Sequence, residues 1–79
     1  MNKTTATPIH HSNLALGSEY LIKSPTMGEA IVEYLGENSR GIMVAIRKGS
    51  LQGAHRRWGK DDELEVPKHS TRFYEVDGE

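Results

Sequence analysis

The stretch EAIVEYLGENSRGIMVAIRK, residues 29–48, alternates apolar and polar side chains on both sides of a turn bracketed by glycines. In Glu29–Leu35, Ala30, Val32 and Tyr34 share one side, while Ile31, Glu33 and Leu35 share the other. That period of two is the signature of a strand with one face buried. Ile42, Val44 and Ile46 repeat the pattern in Ile42–Lys48. Gly36-Glu37-Asn38-Ser39-Arg40-Gly41 between them is a turn sequence. Glu, Ala and Leu make a helix the competing reading of 29–35, but the short run, its β-branched and aromatic residues and its bracketing glycines favour a strand. The pattern therefore predicts an antiparallel hairpin turning at Gly36–Gly41, with Val32, Val44 and Ile46 buried.

Outward from the hairpin, strand signals continue in both directions. On the N-terminal side, Gly17 and Ser18 open a strand at Glu19–Lys23, and Ser24–Gly28 is a short loop in which Pro25 withholds an amide donor. On the other side, Gly49-Ser50 ends the hairpin. Leu51–Trp58 is the least regular part, with a short strand over 54–58 after a bend at Gly53. Gly59–Asp62 reads as a turn, Glu63–Val66 as a strand stopped by Pro67, and Thr71–Val76 as the last strand. Residues 1–16 read as a flexible tail at whose end Ile9, Leu14 and Leu16 are placed to pack down. Residues 17–76 form the domain, and 77–79 a frayed C-terminus. Short strands without a helix of useful length predict an all-β fold. The layout is that of a small five- or six-stranded antiparallel SH3-like barrel or curled sheet. An OB-like barrel is the alternative, although it is usually longer and often has a helix between its third and fourth strands, for which the sequence gives no signal.

Seventy-nine residues make one domain with a modest core. No Cys is present, so neither a disulfide nor a Cys-based zinc site staples the fold, which is compatible with a reducing compartment. No apolar run approaches the roughly 20 residues needed to cross a bilayer, and the N-terminus lacks the apolar core of a secretory signal. A cytoplasmic protein with no membrane role is expected.

Charge is polarised along the chain. Residues 38–60 carry six Lys or Arg and no Asp or Glu, a sum of +6, against −2 for residues 1–37 and −5 for residues 61–79. The only Trp lies inside the basic part. Cations can neutralise phosphates, and an aromatic ring can stack on a base or lie under a guanidinium. Arg40, Arg47, Lys48, Arg56, Arg57, Lys60 and Trp58, with Phe73 as an aromatic contact, are therefore the candidate binding residues. Trp58 has two possible roles, core or contact. Phe73 and Tyr74 are neighbours in a strand, so only one of them faces the core. The acidic run Asp61, Asp62, Glu63 and Glu65 directly follows the cations, and folding over them would quench their charge.

No nucleophile elbow, Walker loop or calcium loop occurs. His10, His11, His55 and His69 lack metal-ligand spacing. No enzyme activity, cofactor or metal is expected. The expectation is a non-enzymatic binding module that docks an anionic partner, nucleic acid or a nucleoprotein complex, through residues 40–60. A protein–protein adaptor or small regulator using edge strands and an aromatic patch is the alternative, and self-association of basic against acidic segments is open to such a chain.

Overall fold

The computed structural model describes residues 8–76. Its strands are β1 (Glu19–Ser24), β2 (Gly28–Glu37), β3 (Ile42–Gly49), β4 (Leu51–Gln52), β5 (Arg57–Trp58), β6 (Glu63–Val66) and β7 (Arg72–Glu75). Five of them form one antiparallel sheet in the order β6-β3-β2-β1-β7, and β4 and β5 form a separate two-stranded ribbon. Among the described residues there is no α-helix, and no helix is long and apolar enough to cross a membrane.

The hairpin anticipated over 29–48 is the centre of the sheet. Pairing runs from Ala30 opposite Gly49 to Glu37 opposite Ile42. Asn38 closes its turn: the Asn38 N–H donates to the Gly41 carbonyl at 2.9 Å, and the Asn38 Oδ1 accepts from the N–H groups of Arg40 (2.8 Å) and Gly41 (2.9 Å). Val32, Val44 and Ile46 are all fully buried. Two register shifts interrupt the ladder, one leaving Leu35 unpaired in β2 and the other leaving Arg47 unpaired in β3. Such bulges sharpen the local twist and re-aim the extra side chain.

The connection from β6 to β7 forces the sheet to curl. Pro67–Thr71 is all that joins them, and Lys68, His69 and Ser70 of that link form a turn. Even stretched, a link of this length reaches at most about 20 Å. Four strand spacings in a flat sheet already take about 19 Å. Val66 and Arg72 also sit at opposite ends of the ladder, beside Ile42 and Lys23 respectively, so a flat sheet cannot be joined this way. The strand order keeps the expected sequence of strand, loop, central hairpin and two flanking strands. β6 and β7 do not pair, however, so the result is an open curled sheet and not a closed barrel.

The inner face holds the core: Tyr20 and Ile22 from β1, Ala30, Val32 and Tyr34 from β2, Ile42, Val44 and Ile46 from β3, Leu64 and Val66 from β6, Phe73 from β7, and Leu51 from β4. Phe73 corrects one expectation. It is 1% exposed and meets the Tyr20 ring edge-on at 6.3 Å, so it has no surface to offer a partner. The alternation of β7 puts Tyr74 on the outer, half-buried side instead.

The chain packs on this core well before Gly17. Ile9 bridges to Phe73, its N–H donating to the Phe73 carbonyl at 2.7 Å. A single 3₁₀ turn follows at His11–Asn13, Leu14 packs on the core, and the Ala15 N–H donates to the Tyr20 hydroxyl at 2.8 Å. Leu16 stays 75% exposed. The expected tail thus contributes contacts from residue 9 onward, while residues 1–7 and the C-terminal 77–79 lie outside the described residues.

Candidate functional site

The ribbon of β4 and β5 carries the densest part of the basic stretch. Leu51, fully buried, anchors it to the core, and the Gln52 N–H donates to the Met27 carbonyl in the β1–β2 loop at 3.0 Å. Leu51 pairs with Trp58 and Gln52 with Arg57, and the tip closes with the Gly53 N–H donating to the Arg56 carbonyl at 2.7 Å. The strand expected over 54–58 shrinks to its last two residues, because Ala54 and His55 form the bend of this tip.

Trp58 is neither fully core nor fully surface. It packs against the core cluster yet keeps part of its surface in solvent. Its six-membered ring lies so close to Gly53 that a Cβ there would meet Cη2 and Cζ3 at 2.9 Å. The Arg56 guanidinium carbon sits 5.1 Å from the ring centroid, within cation–π range. Arg56 lies outside the strand, so the strict alternation that would have set it against Trp58 on the core side does not apply. Arg57 is exposed beside it, and Lys48 and Lys60, also exposed, lead into and out of the ribbon.

The other two cations of the stretch are elsewhere or engaged. Arg40 is in the β2–β3 turn, at the far end of the hairpin from the ribbon. Arg47, re-aimed by its bulge, hydrogen-bonds Glu33 through Nε (3.1 Å) and Nη2, and Asp61 through Nη1 (3.1 Å). The Glu33 hydrogen bonds, outweighing the desolvation of the guanidinium, raise its pKa above the usual arginine value. The acidic turn does not fold over the rest. Asp61 reaches Arg47, and Asp62 Oδ2 accepts the Gly59 N–H at 2.8 Å within its own turn. Among the described residues, no carboxylate lies within ion-pair distance of Arg56, Arg57, Lys48 or Lys60.

A second group of cations was not anticipated. Lys23 lies 5.3 Å from the Tyr74 ring centroid, and Arg72 stands opposite Lys23 across the β1–β7 ladder. These residues come from segments whose summed charge is negative, so no run of sequence announced them. Among the described residues, no three His, Asp or Glu side chains gather closely enough to hold a metal ion.

No family model, no curated protein and no solved structure matches this chain.

Proposed function

We propose that this protein is a non-enzymatic docking module for an anionic partner, nucleic acid being the partner whose chemistry fits best. One observation carries the reading: the Arg56 guanidinium within cation–π distance of a partly exposed Trp58, with Arg57, Lys48 and Lys60 close by in the chain and without a carboxylate partner among the described residues. A guanidinium lying over a partly exposed indole offers a flat cationic surface on which a base can stack, and the neighbouring cations suit the phosphates that flank it. Neither feature reads a base edge, so the expected binding is weakly dependent on sequence and strongly dependent on salt. Edge-strand pairing with a protein is less favoured. β6 is four residues long, carries Glu63 and Glu65, and ends at Pro67, all of which blunt an edge. Ile9 already bridges to β7.

The test is titration of single-stranded DNA or RNA onto the wild type and the Arg56→Ala/Arg57→Ala variant over a range of salt. Each lost phosphate contact should lower the magnitude of the log-affinity against log-salt slope by about 0.7–0.9. Both substitutions are at exposed positions, so the variant should melt near the wild type. An identical slope in the two proteins rules the reading out.

A further inference from the structure

We infer that the cleft where the N-terminal segment meets the start of β7 binds a phosphate group, at a site separate from the β4–β5 ribbon. The cleft has a volume of about 270 Å³ and is lined by His10, His11, Lys68, His69, Thr71 and Arg72 beside the apolar Ile9 and Phe73, with no Asp or Glu among the described lining residues. Its size suits a small anion better than a drug-sized organic ligand.

Three features point to an oxyanion. The first is the Thr71 hydroxyl: Thr71 is 6% exposed, and its Oγ1 is buried without a hydrogen-bond partner among the described residues. A buried hydroxyl without a partner is disfavoured, and a turn of the Thr71 side chain toward the cleft it lines would let a phosphate oxygen accept its proton. The second is the pairing of like charges. Arg72 and Lys23 are directly opposite each other, an arrangement that repels. Glu29, the other cross-strand neighbour of Lys23, makes no ion pair with either. An anion at Arg72 relieves that repulsion, and a guanidinium binds phosphate through two parallel hydrogen bonds. The third is the state of the His10 ring. Its Nδ1 is engaged by Ser12, 3.2 Å from the N–H and 2.7 Å from Oγ, which leaves Nε2 as the ring nitrogen to face an anion, a donor in the imidazolium and in the Nε2–H tautomer. His11 stacks on His10 with ring centroids 4.4 Å apart, and its Nδ1 is 3.1 Å from Glu37.

The phosphate can be a free ion, a small ester or the backbone of a nucleic acid, and these sources are separable. Amide shifts are followed by NMR at constant ionic strength during addition of inorganic phosphate, with chloride as the reference, and then of a short oligothymidylate. Phosphate should shift Lys68, His69, Thr71 and Arg72 saturably. Arg72→Gln should weaken that binding about tenfold or more, the effect of losing one charged hydrogen-bonding contact. Thr71→Val should also weaken it while leaving the melting temperature unchanged or higher, which a merely structural threonine would not do. The Arg56→Ala/Arg57→Ala variant should keep the phosphate response in full, so the cleft can stand if the ribbon does not bind nucleic acid, and the reverse. Oligothymidylate shifts at the cleft assign the phosphate to a nucleic-acid backbone, and their absence beside a phosphate response assigns it to a small phosphate. Shifts matched by chloride, an unaffected Arg72→Gln, or a phosphate response lost in the ribbon variant would each overturn the separate site.

Discussion

Replacing Gly41 by Ala should destabilise this protein although the glycine's φ is not in the left-handed region. A Cβ built at Gly41 would lie 2.5 Å from the Val66 carbonyl oxygen and 2.9 Å from the Glu65 Cγ. Both are under 3.0 Å, closer than real Cβ atoms come to any heavy atom elsewhere in a fold. The glutamate side chain can swing away, but the carbonyl cannot. Val66 pairs with Ile42, and its side chain is fully buried, so β6 can retreat only by breaking its ladder or opening the core. Overpacking of this kind costs about 1–3 kcal/mol. In a domain of this size each kcal/mol lowers the melting temperature by about 4–8 °C, so Gly41→Ala should melt roughly 4–24 °C below the wild type in a calorimetric or circular-dichroism scan. Gly59→Ala is the matched control. Nothing lies within 4 Å of a Cβ there and its φ is not in the left-handed region, so it should be neutral or stabilise by about 0.4–1 kcal/mol through the unfolded chain. Equal melting of Gly41→Ala and wild type would refute the close approach of β6 to the hairpin turn.

Leu51→Ala should cost about 2–5 kcal/mol, since Leu51 is fully buried and is the ribbon's anchor in the core; a red shift of Trp58 emission should accompany the loss, and an unchanged spectrum would mean the ribbon is held elsewhere. Arg47→Ala should weaken nucleic-acid binding less than Arg56→Ala does, because Glu33 and Asp61 already occupy its guanidinium; an equal or greater loss counts against the site. Burial, with lesser effects from Glu37 and Tyr20, raises the Tyr34 phenol above its ordinary pKa of 10.0. The folded state then holds that proton where the unfolded chain has lost it, so stability should fall as pH climbs from about 10 towards the folded value. Tyr34→Phe should lose less stability over that range, and identical alkaline slopes would speak against a buried phenol.

Local chemistry was enough to read the central hairpin and most strand positions. Period-two alternation marked β2 and β3 to within a few residues, because a strand buried on one face must alternate whatever it packs against, and the bounding glycine and proline marked β1 and β6. The same alternation reduced the end of the chain to a choice between Phe73 and Tyr74, which share β7 and differ only in the side they face. The strand's place beside β1 decided it, burying Phe73 against Tyr20. Gly41 was legible as a turn glycine but not as the place where β6 passes within contact of the hairpin.

Charge was the property least readable along the chain. Composition placed the cations of residues 38–60 together, and the fold divides them: Arg40 at the far turn, Arg47 against Glu33 and Asp61, Arg56 on Trp58. It also gathers Lys23, Lys68 and Arg72 from stretches that sum to a negative charge. Alternation and turn chemistry act between residues a few positions apart, so the linear sequence determined the strands and the hairpin. Ion pairs and clefts depend on which distant strands become neighbours, and the β1–β7 pairing, the bulge at Arg47 and the docking of Ile9 on Phe73 exist only once the sheet has curled.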